Sequence, residues 1–146
     1  MADLHEVALE AMEGVFGDRL KRRQSGEPAP DGELASVFPA SADEVALLAR
    51  LADRYSLPLT ALGSETTPEK QAKVGKVLIR FDLMRSLWLS DDDEPLAEPG
   101  ALWLELDNEL RVRGRGLTVY PTSAPRATIG GWPRTASGSG PSSTAA

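Results

Sequence analysis

Two glycine-bearing loops are the segments whose residue types and spacing could do chemistry. The first is residues 63–67, with the sequence GSETT, and the second is residues 128–131, TIGG, after a loop at 121–126. Small side chains let a main chain approach a phosphate closely, and successive amides can form a nest for its charge. Glycine, serine and threonine are also the usual turn formers, so each loop taken singly is typical of an ordinary turn.

Short apolar segments predict the strands that must position these loops. They lie at residues 36–39, 57–62, 77–81 and 117–120, and the second of them runs into Gly63. Residues 86–90 and 95–98 predict a hairpin around the acidic tip 91–94. We therefore expect each glycine loop to begin where a strand ends.

Helices are predicted where apolar residues recur every three or four positions. Ser41 is placed to cap one helix with its hydroxyl, while Glu44 is placed to reach back to the Ser41 amide. Its predicted apolar face is Val45, Leu48, Ala52 and Tyr55. A second helix follows Pro99–Gly100 and stops at Gly114, with the face Leu102, Leu106 and Leu110.

The N-terminal segment 3–23 predicts a further amphipathic helix. Its apolar face would consist of Leu4, Val7, Ala8, Ala11 and Val15. Residues 21–23, Lys-Arg-Arg, would close this helix, because cations in a last turn meet the negative end of the helix dipole. A connector at 25–32 follows, and whether the helix packs on the domain or swings free stays open.

Acidic residues offer a weaker chemical hypothesis. The cluster 91–94 could attract calcium or magnesium, but consecutive carboxylates diverge and no spaced loop with a central glycine surrounds them. We expect a solvated hairpin tip instead. Glu105 and Asp107 are interpreted as a polar helix face opposite the leucines.

Composition excludes several classes of protein. The chain has 146 residues, a formal net charge of −6, no cysteine and a single histidine, His5. These values exclude broad nucleic-acid binding, thiolate sites and most hydrolytic triads. Apolar runs fall short of the ~20 residues that span a bilayer, and the N-terminus lacks a signal pattern, so we expect a cytoplasmic protein.

The order of these segments, from about Val37 to Trp132, resembles the FAD-binding domain of FAD-linked oxidases of the glycolate oxidase and D-lactate dehydrogenase kind. This is the p-cresol-methylhydroxylase (PCMH) or vanillyl-alcohol-oxidase type of domain. The residues that carry the resemblance are VFPAS at 37–41, LPLT at 57–60 before Gly63, the strand and turn 77–84, EPG at 98–100, and PRATIGGW at 125–132.

The resemblance implies an α+β domain with small mixed sheets, flanking helices and FAD as cofactor. The positions that match the family's flavin-contacting loops are Gly63, Ser64, Thr66, Thr67, Pro121, Ser123, Thr128, Gly130 and Gly131. Glu65 departs from the pattern, since it would bring negative charge towards a diphosphate. The implied reaction is oxidation of a 2-hydroxy acid by hydride transfer to FAD, and no catalytic residue is named because the substrate domain is not part of the resemblance.

The sequence predicts three regions: an N-terminal helix and linker at 1–34, a partial FAD-binding domain at 35–132, and a tail at 133–146. The tail has almost no apolar residues, so we expect disorder. Permitted codons for 133–145, read from the third base, encode ADGLGIGSLLYG, which the family would be expected to place after Gly-Gly-Trp. A frameshift after Trp132 would therefore yield a truncated front part that is inactive alone.

Two other classes remain open at this point. The chain could be a non-catalytic binding subunit or interaction module whose partner chain completes the flavin domain and covers its unpaired edges. It could also be a small regulatory α+β domain unrelated to flavin, an interpretation that the segment 125–132 argues against. The solubility of the chain expressed alone, compared with its solubility on co-expression with neighbouring genes, distinguishes a subunit from a truncated front part.

Overall fold

The computed structural model describes residues 3–24, 32–63, 76–90, 94–121 and 125–131. The chain divides into two compact units. The first comprises residues 1–62 and 68–83, and the second comprises residues 63–67 and 84–146.

The first unit contains a four-stranded mixed sheet. Its strands are β1 (Leu20–Arg22), β2 (Glu33–Val37), β3 (Leu59–Leu62) and β4 (Lys76–Arg80), in the order β1-β2-β4-β3. Strand β1 pairs antiparallel with β2, while β4 lies parallel to both β2 and β3, with Leu78 opposite Ser36 on one side and Thr60 on the other. The expected strands at 36–39, 57–62 and 77–81 are thus present with shifted ends.

Two helices, α1 (Leu4–Phe16) and α2 (Ala42–Arg54), belong to the same unit. The core joins both helices to the sheet, and it is formed by Ala8, Leu9, Met12, Phe16, Leu20, Ala35, Val37, Leu48, Ala52, Leu57, Val77 and Ile79. The N-terminal helix therefore packs within the unit. Burial of its apolar side chains, rather than intrinsic helix propensity, supplies most of its stability.

The predicted end of this N-terminal helix was wrong, and its predicted face is right in part, because Ala8 belongs to the core. The helix ends at Phe16, where Gly17 takes the positive φ of 53° that glycine tolerates, and a short 3₁₀ turn at Gly17–Arg19 leads into β1. The cations at 21–23 therefore do not close a helix. Arg22 pairs with Glu13 and Glu6, and Arg23 pairs with Glu33. Leu4 and Val15, assigned to the apolar face, are 55% and 44% exposed.

The start of α2 follows the predicted cap in part. The Ser41 hydroxyl accepts the Glu44 amide at 3.3 Å, as expected. The Glu44 carboxylate accepts the amide of Ala40, at 2.6 Å, instead of the Ser41 amide. Hydrogen bonds from Arg19, followed by the bond from Ala40, lower the pKa of Glu44 to about 2. The carboxylate consequently joins the 3₁₀ turn before β1 to the start of α2.

The second unit contains a hairpin and one helix. Strands β5 (Leu87–Trp88) and β6 (Leu96–Ala97) pair antiparallel, which confirms the predicted hairpin, and its tip at 91–93 lies outside the described residues. Helix α3 (Trp103–Val112) buries Leu106 and Leu110 and is followed by Gly114 at a φ of 69°. The glycine stop is therefore confirmed.

Residues 117–120 do not form the predicted last strand. The Leu117 amide donates to the Asp107 carboxylate, and the Tyr120 hydroxyl donates to the same group. The segment is thus bound to α3 instead of to a sheet. The α+β class with small sheets and flanking helices is nevertheless confirmed.

Candidate functional site

The second glycine loop is held in place by the segment that precedes α3. The amide of Ile129 donates to the Ala101 carbonyl at 2.8 Å, and the Trp103 amide donates to the Ala127 carbonyl at 2.9 Å. Between them, Leu102 and Thr128 form an isolated antiparallel bridge. Three residues on each side thus form a short paired ribbon without a regular sheet.

Gly130 lies where only glycine fits this arrangement. Its amide donates to the Pro99 carbonyl at 2.9 Å. A Cβ atom on Gly130 would stand 2.7 Å from the Pro99 Cβ atom and 3.1 Å from its Cα atom, closer than side chains approach one another. The absence of a side chain at position 130 therefore allows the loop to lie against the chain at Pro99.

Gly63, the first residue of the first loop, meets the end of the second loop. A Cβ atom on Gly63 would lie 3.0 Å from the Gly131 Cα atom and 3.2 Å from the Thr128 hydroxyl oxygen. The Gly131 amide donates to both the carbonyl and the hydroxyl of Thr128, each at 3.2 Å. The structure therefore brings Gly63 together with Thr128 and Gly131, which lie more than sixty positions further along the chain, and Gly130 is adjacent to Gly131.

The other sequence-predicted site residues are less fully placed. Pro121 is buried at the start of the second loop. Ser64, Thr66, Thr67 and Ser123 lie outside the described residues, as does Glu65, whose charge is the departure from the family pattern.

The second loop offers close approach to the main chain instead of the predicted amide nest. The amides of Ile129, Gly130 and Gly131 all donate to protein acceptors, so these three do not form a free anion nest. Gly130 is exposed, and Gly63 and Gly131 are half-buried, so a ligand can reach the backbone here. The residues fit a cofactor that lies against glycine main chain.

Sequence reasoning missed Asp107, which is only 3% exposed and not part of a solvated helix face. Its carboxylate accepts the Tyr120 hydroxyl at 2.5 Å, the Arg111 Nε at 2.6 Å and the Leu117 amide at 3.3 Å. Hydrogen bonds from Tyr120 and then from Arg111 hold the pKa of Asp107 below its ordinary value, despite the opposing effect of desolvation. The spacing of four to Arg111 was visible in the sequence, but the contact with Tyr120 depends on the path of the loop.

The chain has a small α+β fold in which Gly63, which follows a strand, contacts a second glycine loop. Residues 34–145 match the family described as FAD binding domain, which is more than half of the chain. The chain therefore belongs to this family, and FAD is the cofactor that the family's domain binds.

Comparison with a curated protein gives a relative of known activity. The chain is 34% identical over 99 residues to the mitochondrial D-lactate dehydrogenase [cytochrome] of Arabidopsis thaliana. The match covers 65% of this chain and 17% of the relative. The chain thus corresponds to a small part of that enzyme's length.

Solved structures share the fold at low sequence identity. Alkyldihydroxyacetonephosphate synthase superposes with a TM-score of 0.72 at 20% identity, covering 87% of this chain and 31% of that one. For 4-ethylphenol oxidase from Gulosibacter chungangensis the TM-score is 0.71 at 18% identity, with coverages of 90% and 29%. For p-cresol methylhydroxylase with substrate bound it is 0.69 at 12% identity, with coverages of 86% and 28%. These likenesses confirm the PCMH-type fold.

The described parts of the chain show neither a membrane-spanning helix nor a cluster of metal ligands. Within the described ranges, none of the helices is long and apolar enough to cross a membrane. In the same parts of the chain, no three histidine or acidic side chains group as metal ligands, and the acidic residues 91–93 lie outside them. The cytoplasmic location stays a prediction.

Proposed function

We propose that this chain binds FAD as the front part of an FAD-linked oxidoreductase that acts on a 2-hydroxy acid. The observation that carries the proposal is the contact of Gly63 with Thr128 and Gly131, because it joins the two loops that match the family's flavin loops. The substrate class is supported by the likeness to D-lactate dehydrogenase [cytochrome].

The role of the described residues in this proposal is to bind and orient the cofactor. Gly63, Gly130 and Gly131 leave main chain open to FAD, while Thr128 fixes the turn that carries the last two. Ser64, Thr66, Thr67, Pro121 and Ser123 complete the proposed contacts. FAD supplies the hydride acceptor, and the groups that handle the substrate's proton come from outside the matched segment.

Flavin reconstitution tests the binding half of the proposal. The protein is freed of flavin, incubated separately with FAD and FMN, and desalted, and the retained flavin is identified by chromatography. We expect FAD to be retained in preference to FMN, because the matched loops include those assigned to the diphosphate. Equal retention of both flavins would contradict a site that recognises the diphosphate of FAD. Retention of neither would contradict flavin binding by this chain.

A chimera tests the substrate class. The matched segment of D-lactate dehydrogenase [cytochrome] is replaced by the corresponding residues of this chain, and the control chimera carries the equivalent segment of 4-ethylphenol oxidase. We expect the first chimera to retain FAD and to oxidise D-lactate within about tenfold of the parent rate, and the control to be far slower. A flavin-loaded first chimera that leaves D-lactate unoxidised would contradict the 2-hydroxy-acid class.

A non-catalytic subunit completed by a partner chain is the second candidate. The observation in its favour is the cross-strand pair of Trp88 and Leu96, whose side chains are 55% and 66% exposed on a two-stranded hairpin. Such a hairpin is marginal by itself, and exposed apolar pairs are typical of contact surfaces. If co-expression with neighbouring genes yields a stable complex, while the chain alone aggregates, the subunit candidate replaces the first.

A further inference from the structure

We propose that Asp107 is a positioning residue for the second flavin loop, taken here as residues 121–131: its buried carboxylate fixes where that loop begins. The inference rests on the proposed function, since the loop is assigned there to FAD. It goes beyond that proposal because Asp107 lies on α3, outside both glycine loops, and matches none of the residues assigned to the cofactor.

Three donors converge on this one carboxylate. The Arg111 Nε lies one helical turn away at 2.6 Å, whereas the Tyr120 hydroxyl at 2.5 Å and the Leu117 amide at 3.3 Å come from the segment after the helix. A buried carboxylate is stable only when its hydrogen bonds are made, so these donors and Asp107 depend on one another.

The contact with Tyr120 is reinforced by a second bond. The Arg111 Nη2 donates to the Tyr120 hydroxyl oxygen at 2.6 Å, which closes a triangle of Asp107, Arg111 and Tyr120. Pro121 follows immediately and is buried. The chain therefore leaves α3, returns to its side at 117–120, and enters the second loop from a fixed point.

The far end of the loop is fixed by the residues that lead into the same helix. Ala127, Ile129 and Gly130 hydrogen-bond to the segment 99–103, which precedes the body of α3. The loop is thus attached to one rigid element at both ends. Release of the Asp107 end would leave Gly130 and Gly131 attached through one ribbon only.

An ordinary surface ion pair does not explain this arrangement. Arg111 is 62% exposed, and such an i,i+4 pair contributes little to stability in water. The bonds from Tyr120 and Leu117 cross from the helix to the loop, and it is these that a positioning role requires.

The experiment compares Asp107→Ala, Asp107→Asn and Tyr120→Phe with Glu109→Gln as control. Glu109 is an exposed residue on the same helix, paired with Arg113 four residues on. FAD affinity is measured at a temperature well below the thermal unfolding midpoint of every variant, so that loss of folded protein does not lower the measured affinity. Amide hydrogen exchange of Ile129 and Gly130 is measured without flavin.

We expect Asp107→Ala to weaken FAD binding by about tenfold or more and to accelerate exchange of the Ile129 and Gly130 amides to a similar extent. Asp107→Asn retains an acceptor for the loop and should recover most of the affinity. Tyr120→Phe removes only the hydroxyl and should weaken binding about threefold, and Glu109→Gln should match the parent.

Unchanged affinity and exchange in folded Asp107→Ala would overturn the inference, as would an equal effect of Glu109→Gln. If Asp107→Ala fails to fold, Tyr120→Phe decides by the same two readouts. If the parent protein binds no FAD, the proposed function fails, and the exchange of Ile129 and Gly130 still tests whether Asp107 positions the loop.

Discussion

Gly63 and Gly131 lie so close that a Cβ atom on Gly131 would stand 3.1 Å from the Gly63 Cα atom and 2.8 Å from the Thr128 hydroxyl oxygen. Neither residue can carry a side chain without moving the other loop. The pair therefore fixes Gly63, where the first glycine loop starts, against the end of the second glycine loop.

The replacement Gly131→Ala tests this coupling. The added methyl group must displace either the Gly63 backbone or the Thr128 hydroxyl, so we expect FAD affinity to fall by about tenfold or more. The control is Gly116→Ala in the same unit, where nothing lies within 4 Å of the added atom. Parallel FAD titrations measure the difference, and equal affinities for the two variants would show that the contact does not shape the site.

Gly130→Ala probes the attachment of the same loop to Pro99. The new Cβ atom would meet the Pro99 side chain and backbone, so the 2.9 Å bond from the Gly130 amide must lengthen or break. We expect a loss of about 1–3 kcal/mol in unfolding free energy, which is typical of overpacking. Denaturant unfolding measures it, and a Gly130→Ala variant as stable as the parent would refute the close packing.

The Glu44 carboxylate predicts a pH dependence of stability. Its pKa is lowered from 4.5 to about 2 by Arg19 first and by Ala40 second, so its contribution is complete above pH 4.5 and is lost as pH falls towards 2. Thermal unfolding of Glu44→Gln should therefore vary less over this range than that of the parent. Glu10→Gln, on the exposed side of α1, is the control. Parallel curves for the parent and Glu44→Gln would show that Arg19 does not hold the carboxylate.

The N-terminal helix should be an integral part of the first unit. Met12 is fully buried, so Met12→Ala should cost about 2–5 kcal/mol of unfolding free energy. Val15, on the same helix, is 44% exposed, and Val15→Ala should change stability by about 0.5 kcal/mol or less. Chemical denaturation of both variants checks the contrast. A Met12→Ala variant as stable as Val15→Ala would mean that α1 does not contribute to the core.

Elements with a local start or stop signal could be predicted from the sequence. Helix α2 has its cap at Ser41, α3 has its stop near Gly114, and β4 is a compact run of apolar residues. In each case the residue that sets the boundary acts on its own neighbours. Hydrogen bonds within a few residues are enough to place such an end.

Boundaries that depend on distant partners were predicted incorrectly. The cations at 21–23 favoured a longer helix, but β2 recruits residues 20–22 as a strand, and the local stop at Gly17 was overlooked. Residues 117–120 have the composition of a strand, yet the Leu117 amide finds the carboxylate of Asp107. No local pattern shows which acceptor an amide will meet after the chain has turned back.

In the candidate site, too, local features could be predicted and contacts with distant segments could not. The small residues indicated that a ligand could approach the main chain at Gly63 and Gly130, and the structure places Gly63 against Gly131. The engagement of the Ile129 and Gly130 amides by Ala101 and Pro99 was not visible, because it requires the segment before α3 to lie alongside. The role of Asp107 was hidden for the same reason.

A fluorescence titration tests most directly whether this chain binds FAD with its two glycine loops. FAD is held at a fixed low concentration while purified protein is added, and FMN is titrated in parallel. We expect saturable quenching of FAD fluorescence with a micromolar Kd and a weaker response for FMN. Protein that is folded by circular dichroism but leaves FAD fluorescence unchanged would contradict binding of FAD by this chain.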